Sequence, residues 1–278
     1  MSTSNYCIEI HNTMNHISLF GLNIDDKTLA DASASIVCDA KLGVRQKVYF
    51  VNAHCINVAA TNIKYLSVLQ DGALLYADGS GMRLASKLAG FSLKDNVNGT
   101  DLFPLVCRDA ANSGIKLALL GARPGIAQRC ADNMRNQFPN LEFVWIHDGY
   151  FSLDDEVNMI DTINESGAQI LFVAMGVPKQ ELWIARNVDR LRVPILLGVG
   201  ALLDFYSDTM PRAPRRVRQL GLEWLFRLII EPRRMFVRYV VGNPIFIIRT
   251  LWRRFRGQKY LQETPLIESV EKGSRAHD

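Results

Sequence analysis

The stretch Leu74-Leu75-Tyr76-Ala77-Asp78-Gly79-Ser80-Gly81 is an apolar run of strand type that ends on a carboxylate, with two glycines in the next three residues. In an open α/β sheet, ligands bind in the crevice outside the carboxyl ends of the strands. A carboxylate placed there faces the ligand, and the glycines let the backbone come close to it. The competing explanation is local: Asp-Gly is a common turn dipeptide, and Asp78 would also serve as the N-cap of a helix beginning near Met82.

Three further loops leave apolar runs through small or polar residues: Gly121-Ala122-Arg123-Pro124-Gly125, Met175-Gly176-Val177-Pro178-Lys179-Gln180-Glu181 and Gly198-Val199-Gly200-Ala201. Glycines at such places let backbone N–H groups and helix N-termini reach a phosphate. None of the loops is a G-x-G-x-x-G or a G-x-x-x-x-G-K-[ST], so neither a dinucleotide fold nor a P-loop is signalled. Together they suggest a nucleotide-type ligand. Glu181 is explained by the helix dipole, whereas Gln180 is favoured as a sugar or phosphate contact. His54, in the opening turn of a helix, reads as a packed or capping residue. There is no Asp-x-Asp at a strand end, and Asp154-Asp155-Glu156 opens a helix, where the dipole accounts for it. A diphosphate ligand would therefore be neutralised by arginine rather than by a metal.

Strands and helices must place these residues. Apolar runs at 16–22, 48–51, 74–77, 115–120, 141–146, 170–174 and 195–197 alternate with helical patterns at 28–40, from 52 to about 61, near 65–70, and at 82–88, 102–113, 126–137, 154–166 and 182–188. That alternation predicts βαβ units and a mostly parallel, Rossmann-like α/β sheet flanked by helices. Asp26 and Thr100 stand where helix N-caps are needed. From Pro211 the chain changes character. Three helices are expected over 215–230, 233–241 and 245–255, with Pro232 and Pro244 in first turns. The expected organisation is a leader at 1–15, a catalytic domain at 16–208, an arginine-rich helical appendage at 209–256 and a disordered tail at 257–278.

The bulk numbers agree with a globular chain: 278 residues, 48% hydrophobic and 22% charged. Five scattered cysteines without a C-x-x-C argue against a disulfide framework or zinc site, and the opening residues lack a signal-peptide core. The net charge of +4 conceals a split. Between Thr209 and Tyr260, twelve arginines and one lysine face only Glu223 and Glu231, leaving the remainder of the chain acidic. The basic segment interleaves Phe236, Tyr239, Phe246, Trp252 and Phe255 with arginines, which suits helices lying in an anionic membrane interface.

Phe50-Val51-Asn52, Ala77-Asp78-Gly79, Val97-Asn98-Gly99-Thr100-Asp101-Leu102, Met175 to Glu181 and Gly221-Leu222-Glu223-Trp224-Leu225-Phe226-Arg227 resemble, in order and spacing, the WecG/TagA/CpsF glycosyltransferases over about residues 16–256. The resemblance implies an inverting transferase without a metal or other cofactor. It would move a sugar from a UDP-sugar to a polyprenyl-diphosphate-linked glycan, in exopolysaccharide or cell-surface polysaccharide synthesis, as a peripheral enzyme at the cytoplasmic face of the bacterial inner membrane. Asp78 then matches the general base, and Asn52 and Gln180 match active-site polar residues. Gly79, Gly121, Gly176 and Gly198 would line the substrate, Asp204 would bind ribose or uracil, and Arg227 and Arg234, with Arg212 and Arg215 in reserve, would stabilise the leaving diphosphate. Phe50 stands where relatives often carry threonine and Asn96 where many carry arginine. The donor sugar is therefore open among glucose, N-acetylmannosamine and its uronic acid. The rival readings are a nucleotide-dependent oxidoreductase, which leaves the basic segment unexplained, and a nucleic-acid-binding protein, which leaves Asp78 without a role.

Overall fold

The computed structural model describes residues 16–255. The leader and tail expected at either end lie outside the described residues.

The first apolar run is a hairpin rather than one strand. β1 (His16–Leu19) and β2 (Leu22–Asp25) pair antiparallel, with Leu19 opposite Leu22. Phe20 and Gly21 form the two-residue turn, both at positive φ (58° and 78°), the geometry that matches the twist of a hairpin.

Six strands then build one sheet: β3 (Gln46–Val51), β4 (Leu74–Ala77), β5 (Leu117–Gly121), β6 (Phe143–His147), β7 (Ile170–Ala174) and β8 (Ile195–Gly198). Their order is β4-β3-β8-β7-β5-β6, and every neighbouring pair is parallel. The helices around it are α1 (Leu29–Leu42), α2 (Ala53–Ala59), α3 (Ile63–Gln70), α4 (Ser80–Leu88), α5 (Gly99–Ser113), α6 (Ile126–Gln137), α7 (Leu153–Glu165), α8 (Lys179–Asn187) and α9 (Leu202–Tyr206). The expected α/β architecture is therefore present. Successive residues of β3 face opposite ways. Val48 and Phe50 pack in a core with α1, α5 and α6, whereas Tyr49 and Val51 pack in a second core with the hairpin, α2, α3 and α8. β5, β7 and β8 are buried along their whole length, which is why they read as unbroken apolar runs.

Two expected caps are displaced. Thr28 caps α1 by accepting from the Asp31 N–H, and Asp26 instead accepts from the Lys94 N–H at 2.7 Å. Asn98 caps α5, accepting from the Asp101 N–H at 2.8 Å, so Gly99 and Thr100 already lie in the helix. In each case the cap is the polar residue just before the first turn, from which a side-chain oxygen reaches the free N–H groups. Cys55, Cys107 and Cys130 are buried free thiols, and Cys38 is disulfide-bonded.

The C-terminal helices are α10 (Arg215–Gln219), α11 (Glu223–Ile230), α12 (Pro232–Phe236), a π turn (Val237–Val241) and α13 (Gly242–Phe255). Pro232 opens α12 as expected. Pro244 lies in the first turn of α13, as its third residue, and α13 continues directly from the π turn. Proline lacks the N–H that would bond one turn back, and its ring crowds the carbonyl there. A widened turn at that place relieves both conflicts without ending the helix.

This appendage folds back on the carboxyl ends of β3 and β4. Phe246 is 2% exposed and packs on Phe20 with ring centres 5.4 Å apart. It also lies so close to Gly81 that a Cβ there would sit 3.4 Å from its ring. Asn57 Nδ2 donates to the Gly242 carbonyl at 2.7 Å, Ser80 Oγ donates to Gly221 O at 3.3 Å, and Arg254 donates to Leu88 O. Arg212 and Arg218 both pair with Asp101, at 2.5 and 3.3 Å.

Candidate active site

The ladder between β3 and β4 runs one residue past the strand: the Asp78 N–H donates to Val51 O at 2.9 Å. That bond sets Asp78 beside Asn52, the N-cap of α2. Asn52 Oδ1 accepts from the N–H groups of His54 and Cys55, at 3.1 and 3.2 Å. With its oxygen so committed, the amide must turn its NH₂ outward, and Nδ2 donates to Asp78 Oδ2 at 3.1 Å. Asp78 does not cap α4, since the residue in that position is Gly79, at φ 90°. The Gly79 N–H donates to Asn96 Oδ1 at 2.6 Å, so the polar loop before α5 holds the Asp-Gly turn. Phe50, behind this turn, is 8% exposed and touches Gly99 and the Tyr76 ring.

Asp78 is half-buried, and burial raises its carboxyl above the usual carboxylate range. The Asn52 bond and the charges of Arg238 and Arg227 pull it back, and Asp101 pushes it up. Such a carboxylate is better poised to accept a proton near neutral pH than an exposed one.

Arg227, on α11, lies over the Phe205 ring at 5.3 Å, and its Nε and Nη2 are buried without a hydrogen-bond partner among the described residues. Arg238, on the π turn, has a buried Nε in the same condition. Guanidinium nitrogens cost several kcal/mol to desolvate unless an acceptor meets them, on the order of 1–3 kcal/mol per missing bond. Two of them converging near a carboxylate at the sheet edge make a cradle for an anion. His54 lies near Arg238; burial, then that charge, lower its pKa to about 4, so it is neutral, in keeping with a packed role.

The other residues singled out above divide. Asp204, on α9, is half-buried; burial raises its carboxyl, and Arg234, Arg123 and Arg227 oppose this. The charge of Arg227 thus acts on both Asp78 and Asp204. Arg234 pairs with Glu231 at 3.1 Å, Arg212 is held by Asp101, and Arg215 is exposed. Gly121 is required by its neighbours, because a Cβ there would sit 2.4 Å from Ala174 O. Gln180 is 2% exposed, and its Oε1 accepts from the N–H groups of Gly176 and Gly200, at 3.1 and 2.9 Å. Gly198 leaves room for it: a Cβ there would lie 3.0 Å from Gln180 Nε2. In this arrangement Gln180 ties two loops together and presents no acceptor to the crevice.

Arg238 was legible only as one arginine of the basic segment, and Asn96, Asp101 and Glu223 only as motif positions; that they surround the Asp78 turn is a result of the fold. Burial raises Glu223, which also feels Arg212 and Asp78. Arg238 stands eleven residues, three helical turns, after Arg227, a spacing that hints at one face. Among the described residues, no group of three or more His, Cys, Asp or Glu is placed to hold a metal ion.

The chain is 27% identical over 235 residues to an N-acetylglucosaminyldiphosphoundecaprenol N-acetyl-beta-D-mannosaminyltransferase of Staphylococcus aureus (strain NCTC 8325 / PS 47), covering 84% of this chain and 91% of that protein. The similarly named protein of strain MW2 is 26% identical over the same share. The model of the glycosyl transferase WecG/TagA/CpsF family matches residues 17–260, the region that holds the parallel sheet, Asp78 and the arginine cradle, and the chain belongs to that family.

Proposed function

We propose that the protein is an inverting, metal-independent hexosyltransferase that moves a sugar from a UDP-sugar to a polyprenyl-diphosphate-linked glycan at the cytoplasmic face of the membrane. The observation that supports it most is the pairing of a raised, half-buried Asp78 with the unpartnered guanidinium atoms of Arg227 and Arg238. An acceptor hydroxyl attacks the anomeric carbon and passes its proton to Asp78. The bond from that carbon to the diphosphate oxygen breaks on the opposite face, and UDP departs carrying the electron pair. Arg227 and Arg238 meet the charge that develops there. Asn52 aims the base.

The names of the relatives reported above carry N-acetylglucosaminyldiphosphoundecaprenol and an N-acetylmannosaminyl group, which supports a lipid-diphosphate acceptor here and makes UDP-N-acetylmannosamine a donor to test beside UDP-glucose. The appendage suits such a substrate. Leu220, Ile229, Phe236, Val237, Ile248 and Trp252 are all more than half exposed, in a segment rich in arginine. Among the described residues no helix is long and apolar enough to cross a membrane, so these side chains are read as lying in the interface.

The test is UDP release from a panel of UDP-sugars with EDTA present and a short lipid-diphosphate glycan as acceptor. Release that needs one sugar nucleotide together with the lipid acceptor supports the proposal and names the donor. No release with any pair, alongside salt-sensitive binding to nucleic acid, overturns it.

A further inference from the structure

The mechanism above makes no use of Glu181, a carboxylate only 1% exposed that immediately follows Gln180. Its surroundings are unusual. Glu181 Oε1 accepts from Gln180 Nε2 at 2.8 Å, while Oε2 is buried with no hydrogen-bond partner among the described residues. The Tyr49 hydroxyl, on the neighbouring β3, is buried and unpartnered as well. Burial raises the Glu181 carboxyl to about 7, against the Gln180 bond and its own backbone N–H, which lower it. A group that costs this much to bury needs a reason to be there.

The geometry around Gln180 gives the reason. Its oxygen is fixed by two backbone donors, Gly176 and Gly200, which lie on the separate loops after β7 and β8. An amide rotated by half a turn would set its NH₂ against both N–H groups. The orientation that avoids this clash needs an acceptor on the other side, and Glu181 Oε1 is that acceptor. A neutral apolar residue at 181 would leave the Gln180 NH₂ unmet and remove what selects the productive orientation.

We infer that Glu181 is a positioning residue: through the Gln180 amide it locks together the loops after β7 and β8, the floor on which the nucleotide of the donor rests. The lock itself stands on the hydrogen bonds; its effect on the donor rests on the proposed function. Gln180 and Glu181 then act through Gly176 and Gly200, not by touching the sugar. Only the hydrogen-bonding roles matter in this arrangement, so they can be exchanged between the two positions. In Gln180→Glu with Glu181→Gln, the new carboxylate at 180 accepts the two N–H groups on one oxygen and the NH₂ of the new amide on the other.

The experiment compares wild type, Glu181→Leu, Glu181→Gln, Gln180→Glu and the exchanged double variant in the full chain. Two readouts are taken: hydrogen exchange of the Gly176 and Gly200 amides, and KM and kcat with the active UDP-sugar. Glu181→Leu is expected to speed exchange at both glycines and raise KM about ten-fold with kcat within about two-fold, the loss that one unmet buried group brings. Glu181→Gln keeps an acceptor and stays near wild type. Gln180→Glu alone sets two carboxylates in contact and fails, and the double variant recovers both readouts. Unchanged exchange in Glu181→Leu, or a double variant no better than Gln180→Glu, overturns the inference. Should exchange respond as expected while wild type neither binds UDP nor turns over any UDP-sugar, the lock stands and the donor reading falls.

Discussion

Asn52 donates Nδ2 to Asp78 Oδ2 at 3.1 Å while its Oδ1 caps α2 by accepting from His54 and Cys55. One amide therefore links the start of a helix to the aim of the carboxylate, and its two ends are not interchangeable. Replacing Asn52 by alanine should cost about 1 kcal/mol of stability through the lost cap. It also removes the first of the influences that hold the Asp78 carboxyl down. A base must be ionised to work, so the rising limb of the pH–rate profile should move to higher pH in Asn52→Ala. A limb that stays in place would separate that limb from Asp78.

Asp78→Asn keeps an oxygen for Asn52 but cannot take a proton. Turnover should fall by roughly 10²–10⁴-fold. UDP affinity, measured by calorimetry, should stay within about two-fold. Loss of binding together with turnover would mean that Asp78 holds the ligand instead of acting as base.

Arg227 and Arg238 carry buried nitrogens with no partner among the described residues, whereas Arg234 is paired with Glu231 and Arg215 is exposed. Alanine at 227 or 238 should therefore weaken UDP binding and slow turnover by about ten-fold or more, as removal of a charge-assisted bond does. Arg215→Ala should leave nucleotide affinity unchanged. Equal effects at all three positions would point to diffuse charge attraction, which would also fade with added salt.

Glu181 gives a stability prediction of definite sign. Burial pushes its carboxyl up to about 7 in the folded protein, against the 4.5 of an ordinary glutamate. Between those values the folded state holds more protons than the unfolded one, so the group's contribution falls as pH rises from about 4.5 and reaches its least favourable level above 7. The full swing is on the order of 3 kcal/mol. Glu181→Gln has no proton to lose. Denaturant titrations at pH 5 and pH 8 should show the variant gaining on wild type at the higher pH, and a constant difference would refute the assignment.

Phe246 is the buried apolar anchor of α13, packed on Phe20 and Gly81. Phe246→Ala should cost about 3–5 kcal/mol of local packing. Phe246 is the buried hydrophobic side chain that α13 contributes to the second core, so the loss should appear as proteolytic release of the appendage and a drop in activity. Cooperative unfolding of the whole chain at a lower temperature would instead show one folding unit.

Much of the catalytic half was legible in the chain. Unbroken apolar runs at β5, β7 and β8 announced parallel strands, because a strand covered on both faces has no polar side to show. Asp78 stood out as a carboxylate at the end of such a run, but turn and cap roles competed for it until the fold gave the cap position to Gly79. The caps were less legible, since Asp26, Thr28, Asn98 and Thr100 are all competent oxygens, and the exact start of each helix chooses among them. The hairpin turn at Phe20-Gly21 was hidden because β1 and β2 are both apolar and only two residues part them.

By itself, the sequence determined the parallel sheet, the carboxylate at the end of β4 and the basic, aromatic character of the last helices, because each is written in periodicity and composition along the chain. The tertiary structure alone decided which arginines meet Asp78. Arg227 and Arg238 are brought there by the π turn at Val237–Val241, by Phe246 in the core and by Asp101 gripping Arg212 and Arg218. It also decided that the Gln180 amide is spent on Gly176 and Gly200. Both depend on groups distant in the chain meeting at fixed angles, and a linear pattern carries no record of such angles.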